Sequence, residues 1–185
     1  MEGIRFARLE DAKALVDIYN PYIKETTITY EYDELSEEAF CRRMQSIMEK
    51  FPYLVYEIDG VIAGYAYASP HLERAAFGWD CEVTVYLSPT YQNRGIASRL
   101  YEKLIGIVKE MGYVNIYSLI DYPNAGSEAL HYKFGFEKLG IYEKTAFKFG
   151  KWLDLLVLQK RVGTDEKPEA ISLECLKEKW QQKWL

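Results

Sequence analysis

The chain has 185 residues, 49% of them hydrophobic, which suits one globular core with a small appendage and leaves no room for a large second domain. A formal net charge of −5 gives no general attraction to nucleic acid or to an acidic membrane, so it favours a small-molecule partner. Three widely spaced cysteines, Cys41, Cys81 and Cys175, indicate reduced thiols rather than disulfides or a metal site. With neither a secretory signal nor an uncharged apolar run of about 18 residues, the expected location is the cytoplasm.

Alternating and helical hydrophobic patterns predict a mixed order of strands and helices. In chain order they predict a strand at 3–7, a helix from about 10, an extended segment at 26–32, a helix at 36–50, strands at 53–58, 61–68 and 81–87, a helix at 96–111, a strand at 114–120, a short helix at 125–134, and strands at 137–148 and 152–159.

Local signals set the ends of several elements. Pro21 should disturb or end the first helix, whereas Ser36 before two glutamates is a typical helix N-cap. Asp59-Gly60 is typical of a tight type I′ hairpin, so its flanking strands should pair antiparallel. The βαβα passage from 81 to 134 completes a mixed α/β prediction.

A boundary is predicted near Arg161, because residues 163–168 have linker composition. The apolar residues near one face of the helix predicted beyond it are Leu173, Leu176, Trp180 and Trp184. We therefore predict a domain at 1–161 and a linker with a C-terminal amphipathic helix at 162–185. The apolar face should dock on the domain or on a second subunit.

The run Gln92-Asn93-Arg94-Gly95-Ile96-Ala97 lies between the strand that ends at Leu87 and an amphipathic helix. Small residues in a first helical turn let backbone N–H groups approach a ligand, and the helix dipole favours negative charge, so a diphosphate would fit. The alternative is that Gly95 only permits a tight turn. The run has neither the Gly-Lys-Ser/Thr ending of a triphosphatase loop nor the spacing of a dinucleotide site.

This run resembles the Q/R-x-x-G-x-G/A signature of the GNAT superfamily of N-acetyltransferases, which binds the pyrophosphate of coenzyme A. The closer resemblance is to the phosphinothricin and methionine sulfoximine acetyltransferase branch. It is carried, from residue 3 to about 161, by Ile18-Tyr19-Asn20, Thr26-Thr27-Ile28-Thr29, Glu82-Val83-Thr84-Val85-Tyr86, Ile120-Asp121, Asn124, Ser127, Leu130-His131 and Phe147-Lys148-Phe149-Gly150-Lys151-Trp152-Leu153-Asp154. The resemblance implies the acyl-CoA N-acyltransferase fold, an α+β mixed fold whose central, mostly antiparallel sheet is flanked by helices.

The resemblance also implies acetyl-CoA as cosubstrate, without a metal. The acetyl-pantetheine arm should pair with the backbone of Val85, Tyr86 and Leu87, and Asn124 should contact the pantetheine portion. The residues expected to hold the pyrophosphate are Asn93, Arg94, Gly95, Ile96, Ala97 and Ser98. Judged from the residues alone, Val85 and Leu87 also belong to a core-facing strand row, and Asn124 is also suited to cap the next helix.

Acetyl transfer requires a neutral amine, whereas an α-amino group with a pKa of roughly 8 is largely protonated at neutral pH. Glu82 is the predicted general base, with a plain surface carboxylate as the alternative. His131 is the acid that the resemblance implies for the departing thiolate, with Tyr132 as the fallback and a structural histidine as the alternative. An acetyl-cysteine on Cys81 is disfavoured, because no second base besides Glu82 lies next to it in sequence and strand cysteines are usually small buried hydrophobes. Direct attack in a ternary complex is therefore expected.

The acceptor site should include Glu82 and the loop at 71–80, in which Arg74 and Trp79 match an arginine and an aromatic residue of amino-acid acetyltransferases. Gly78 stands where that branch can carry a second arginine. We predict acetyl transfer to the amine of a small amino acid or an analogue such as phosphinothricin or methionine sulfoximine, by a homodimer. The alternatives are a peptide or protein N-terminal acetyltransferase and a non-catalytic coenzyme A-binding module.

Overall fold

The computed structural model describes residues 2–184, except for the side chains of residue 178 and of residues 181–184. The strands in this range are β1 Glu2–Phe6, β2 Tyr53–Ile58, β3 Val61–Pro70, β4 Asp80–Leu87, β5 Asn115–Tyr122, β6 Glu137–Lys148 and β7 Lys151–Arg161. The α-helices are α1 Ala12–Glu25, α2 Glu37–Met48, α3 Ile96–Glu110, α4 Ala125–Lys133 and α5 Leu173–Trp184.

The strands form one sheet in the order β1-β2-β3-β4-β5-β7-β6. Every neighbouring pair is antiparallel except β4 and β5, which are parallel. One apolar cluster packs α1 and α2 against the sheet, and a second packs α3 and α5 against it. The predicted mixed, mostly antiparallel sheet flanked by helices is therefore confirmed.

Two local predictions in the first half of the chain are also confirmed. The Ser36 Oγ accepts a hydrogen bond from the Ala39 amide at 3.2 Å and caps α2. Asp59 and Gly60 have φ values of 48° and 83°, the conformation that a type I′ turn between β2 and β3 requires.

The prediction that Pro21 disturbs or ends the first helix is wrong in its stronger form, because α1 continues through Pro21 to Glu25. Proline removes one backbone hydrogen bond from a helix interior. Here the turn after it buries Tyr22 and Ile23 in the apolar cluster under α1, and this burial offsets the loss. Tertiary packing thus overrides the local signal.

The C-terminal helix α5 packs against α3 of the same chain. Leu173, Leu176 and Trp180 are buried, and the Trp180 ring lies 3.2 Å from the position that a Cβ on Gly106 would take. Lys179 forms an ion pair with Glu110 at 2.7 Å. Docking of the tail on its own domain, one of the two predicted arrangements, accounts for these three residues; the fourth, Trp184, has its side chain outside the described part.

We expect Trp180→Ala to lower the free energy of unfolding by about 3–5 kcal/mol, because it empties a buried aromatic site. Ile171→Ala, in the same segment but 43% exposed, should cost about 0.5 kcal/mol or less. Urea denaturation of both variants measures the difference. Equal small effects would mean that α5 does not dock in solution.

The three cysteines are free thiols, as predicted. No helix among residues 2–184 is long and apolar enough to cross a bilayer. The part of the chain that the structure describes holds no group of three or more His, Cys, Asp or Glu side chains arranged for a metal ion.

Candidate active site

The two parallel strands at the centre of the sheet separate partway along their length. β4 and β5 pair at Asp80–Asn115, Cys81–Ile116 and Glu82–Tyr117, and no further pairs follow. Beyond Glu82 the backbone groups of β4 that face β5 therefore lack a strand partner. A cavity fills the gap, and its walls include Val85, Tyr86, Tyr101, Asp121, Asn124 and His131.

A groove continues from this cavity to the N-terminus of α3. It shares Val85, Tyr86 and Asn124 with the cavity and adds Leu87, Asn93, Gly95, Ile96, Ala97 and Ser98. Most residues predicted to bind the cofactor thus lie on one continuous surface. Arg94 is the exception, since its guanidinium lies over the Tyr91 ring, 5.2 Å from the centroid, and it is not among the groove residues.

The N-terminus of α3 is open to this groove. Gly95 is the N-cap residue with φ 76°, and no side chain caps the helix. The first hydrogen bond of the helix runs from the Arg99 amide to the Gly95 carbonyl. The amides of residues 96–98 therefore have no carbonyl partner within the helix. A Cβ on Gly95 would meet nothing within 4 Å. This open turn, with its unpaired N–H groups and positive helix end, suits an anion such as a diphosphate.

Asn124 caps a helix and also faces the site. Its Oδ1 accepts a hydrogen bond from the Ser127 amide at 3.1 Å and caps α4, as the structural alternative predicts. The same side chain also lines both the cavity and the groove. Capping uses the oxygen and leaves the Nδ2 donor for a ligand.

Glu82 occupies the last paired position of β4, immediately before the cavity wall. Its Oε1 lies 2.8 Å from Nδ1 of His71, whose ring stacks on Tyr117 at a centroid distance of 3.9 Å. Burial raises the pKa of Glu82 above its usual value, while the hydrogen bond and charge of His71 oppose that rise. The carboxyl is therefore half-buried and has a raised pKa, which suits a general base.

His131 is 1% exposed and lines the cavity. Its Nδ1 lies 2.7 Å from the Ser127 carbonyl, which can only accept, so Nδ1 carries the hydrogen. In the neutral ring Nε2 then accepts from the Tyr101 hydroxyl, 3.0 Å away. Burial lowers the pKa of His131, which keeps the ring neutral at neutral pH. The fallback acid, Tyr132, is 45% exposed and is not among the cavity residues.

Asp121 on β5 forms part of the cavity wall beside the loop between α1 and α2. The Thr27 hydroxyl donates to its Oδ2, whereas Oδ1 is the one buried side-chain N or O atom in the described residues without a hydrogen-bond partner. Lys148, itself buried, donates from Nζ to the Thr29 carbonyl at 2.7 Å. The Tyr30 hydroxyl donates to the Asp154 carbonyl at 3.1 Å. These two bonds tie the segment at 147–154 to the loop at 26–30, whose Ile28 lines both the cavity and the groove.

The structure places the other predicted acceptor residues away from this wall. Arg74 is exposed in the loop after β3. The Trp79 ring lies under the Lys167 ammonium, at 5.5 Å, and the Trp79 carbonyl accepts from the Val114 amide. Neither residue is among those that line the cavity or the groove.

Cys81 is fully buried in the core cluster of α3, and burial raises the pKa of its thiol. A thiol that resists ionisation is a poor nucleophile. This environment agrees with the expectation that Cys81 forms no acetyl intermediate.

Sequence reasoning did not single out His71 or Tyr101. His71 reaches Glu82 only after β3 and β4 have paired, and Tyr101 reaches His131 across 30 residues of sequence. No spacing within the chain signals either contact.

A family model described as acetyltransferase (GNAT) domain matches residues 4–157. A phosphinothricin N-acetyltransferase of Streptomyces viridochromogenes is 33% identical over 152 residues, which are 82% of this chain and 83% of the relative. An L-methionine sulfoximine/L-methionine sulfone acetyltransferase of Salmonella typhimurium is 30% identical over 170 residues, 90% of this chain and 98% of the relative. A crystal structure of a GNAT superfamily phosphinothricin acetyltransferase from Sinorhizobium meliloti in complex with AcCoA is 32% identical, with a TM-score of 0.88, over 93% of this chain and 95% of that one.

Proposed function

The chain belongs to the GNAT acetyltransferase family, whose members are acetyl-CoA-dependent acyltransferases, and we propose that it acetylates the amine of a small amino acid or a close analogue. The observation that carries this proposal is the cavity between β4 and β5, which opens into a groove at the uncapped end of α3. The names of the relatives support an acceptor of the phosphinothricin or methionine sulfoximine type.

The residues present fit acetyl-CoA. The edge of β4 at Val85, Tyr86 and Leu87 has no strand partner and can exchange backbone hydrogen bonds with the amides of a pantetheine arm. The Leu87 carbonyl already accepts one from the Tyr22 hydroxyl. The amides that follow Gly95 suit the diphosphate, and Asn124 Nδ2 is a donor between the two. Asp121 Oδ1 offers an acceptor for an N–H group of a ligand. When bound, acetyl-CoA supplies the acetyl group as an activated thioester.

Glu82 is the proposed base. Its position at the start of the gap between β4 and β5 lets it take a proton from an amine that enters beside the cavity. Because Cys81 is buried and its thiol resists ionisation, we propose direct attack by the amine in a ternary complex.

We propose that His131 holds the Tyr101 hydroxyl at the cavity wall and that this hydroxyl turns its hydrogen from Nε2 of His131 to the sulfur as the C–S bond breaks. The hydrogen bond stabilises the departing thiolate, which then takes its proton from water. We expect His131→Leu and Tyr101→Phe each to lower kcat by about tenfold, less than a typical general acid, because a thiol pKa of roughly 8.5 already makes the sulfur a good leaving group. The double variant should lose no more than either single variant, since both remove one unit.

The measurement is kcat for all three variants, with melting temperatures to confirm folding. Wild-type rates for Tyr101→Phe together with a slow His131→Leu would mean that His131 acts on the sulfur without Tyr101.

The experiment that tests the proposed function is a thiol-release assay with acetyl-CoA and a panel of amino acids, phosphinothricin, methionine sulfoximine and short peptides. Turnover of small amino acids or analogues supports the proposal. Turnover of peptides alone would assign the chain as a peptide N-terminal acetyltransferase. Acetyl-CoA binding without turnover of any amine would favour the non-catalytic binding module and end the enzymatic proposal.

Arg74 and Trp79 remain proposed acceptor residues, on the loop that joins β3 to β4. The same assay on Arg74→Ala tests this, because a lost carboxylate contact should raise KM for the acceptor and leave KM for acetyl-CoA unchanged.

A homodimer in the cytoplasm is also proposed. The support for the dimer is an aromatic surface on β6, β7 and the turn between them, whose exposed members are Tyr142, Phe147, Phe149 and Trp152. Light scattering of the purified chain tests it. A monomeric mass at micromolar concentration would refute the dimer.

A further inference from the structure

His71 lies in hydrogen-bond contact with Glu82, and the proposed chemistry has not yet used it. β3 ends at Pro70, which pairs with Cys81, and Ser69 pairs with Glu82 itself. His71 therefore follows directly after the last paired residue of β3, and its side chain contacts Glu82. Both side chains are shielded, with exposures of 16% for His71 and 24% for Glu82.

The hydrogen bond between them has a defined direction. An ionised carboxylate can only accept, so Nδ1 of His71 donates to Oε1 of Glu82 over 2.8 Å. The imidazole ring is nearly parallel to that of Tyr117, with an interplanar angle of 7°. Tyr117 on β5 is the residue that pairs with Glu82 on β4. The stack on Tyr117 therefore holds the imidazole of His71 beside the base.

Among the described residues, His71 is the side chain that forms a hydrogen bond with the Glu82 carboxyl. The other titratable groups near Glu82 are Tyr67 on β3, Tyr117 on β5, and Asp80 and Cys81 on β4. Arg43 and Glu31 interact with Tyr67 rather than with Glu82 directly. His71 thus supplies the interaction that favours the ionised carboxyl, against the effect of burial.

We propose that His71 is a positioning residue for the base: it holds Oε1 of Glu82 by a hydrogen bond and leaves Oε2 for the acceptor amine. The proposal rests on the proposed function. In the proton transfer, one N–H bond of the ammonium breaks, its electron pair stays on nitrogen, and the proton binds Oε2. The nitrogen then forms a C–N bond with the acetyl carbon as the C–S bond breaks. A second proton leaves the nitrogen, and the departing sulfur gains one and leaves as a thiol. His71 keeps its own proton throughout, and Glu82 returns the proton to water.

Two variants separate the hydrogen bond from the packing of the ring. His71→Phe keeps an aromatic ring to stack on Tyr117 but removes the donor, whereas His71→Asn keeps an N–H donor near Nδ1 but removes the ring. The measurement is kcat/KM against pH, with the acceptor found in the screen. We expect the acid limb of the profile to move up by about one pH unit in His71→Phe, because a lost charge-assisted hydrogen bond raises the pKa of the base. His71→Asn should restore most of that shift.

A purely structural role predicts a different result, a uniform loss of rate at every pH without movement of the acid limb, and that result would overturn the proposal. An unchanged profile in His71→Phe would also overturn it.

Titration of the Glu82 carboxyl carbon by ¹³C NMR, assigned with Glu82→Gln, tests His71 without turnover. If wild-type protein acetylates no amine, the proposed function fails, while a raised Glu82 pKa in His71→Phe still supports the coupling of the two side chains. An unchanged Glu82 pKa refutes that coupling whether or not the wild type is active.

Discussion

Replacing Glu82 by glutamine should lower kcat for acetyl transfer by about 10²- to 10⁴-fold at neutral pH, because the amide has nearly the shape of the carboxyl but accepts no proton. Glu82 precedes the cavity wall and is not among the groove residues, so KM for acetyl-CoA should change by about twofold or less. The residual rate should rise as the pH approaches roughly 8, where the amine loses its proton without a base. Thiol release across pH measures all three effects.

Glu57→Gln is a matched control. Glu57 is also a half-buried strand carboxylate with a hydrogen-bond donor beside it, Arg5 at 2.9 Å, but it lies on β2 and is not among the cavity residues. It should keep wild-type kcat at every pH. Wild-type turnover by Glu82→Gln would mean that water or another side chain deprotonates the acceptor, and it would remove Glu82 from the proposed mechanism.

The stability of Glu82→Gln gives an independent check. The folded pKa of Glu82 is raised above its usual value of 4.5, so the fold favours the protonated carboxyl, and this group's contribution to stability falls as the pH rises through that interval. A neutral glutamine carries no such penalty. We therefore expect the variant to melt at or above the wild-type temperature at pH 7, so any loss of activity reflects chemistry rather than unfolding.

Local sequence signals were sufficient wherever a feature depends on neighbouring residues. Ser36 caps α2, Asp59-Gly60 closes the hairpin, and Gly95 begins α3 in the left-handed conformation that glycine adopts readily. Pro21 misled because its cost is offset by apolar contacts with residues far along the chain. Local sequence patterns predict backbone conformation, but they do not reveal the tertiary packing that can override that preference.

Contacts between residues on different strands could not be predicted from the sequence. The His71–Glu82 bond depends on the register of β3 with β4 and on the Tyr117 ring from β5. Arg74 and Trp79 show a different difficulty. Their residue types match those of amino-acid acetyltransferases, but the path of the loop places neither of them on the cavity wall.

We expect Gly95→Val to weaken acetyl-CoA binding by about 10- to 100-fold. Gly95 has φ 76°, a conformation that costs an L-residue about 1–2 kcal/mol and is least tolerated by β-branched side chains. The added side chain would also enter the open space beside the first amides of α3, where the diphosphate is proposed to lie. Strain and obstruction therefore act together at this turn. Calorimetric titration with coenzyme A measures the loss directly, without an acceptor.

Gly60→Val separates binding from backbone strain. Gly60 has φ 83° and, like Gly95, nothing within 4 Å of an added Cβ, but it lies in the hairpin between β2 and β3. Both variants should lose stability by similar amounts, because both force valine into the left-handed region, whereas only Gly95→Val should lose affinity for coenzyme A. Equal losses of affinity would assign the effect to general destabilisation. If Gly95→Val binds coenzyme A with wild-type affinity, the diphosphate does not bind at this turn, because the valine side chain and the diphosphate would occupy the same space.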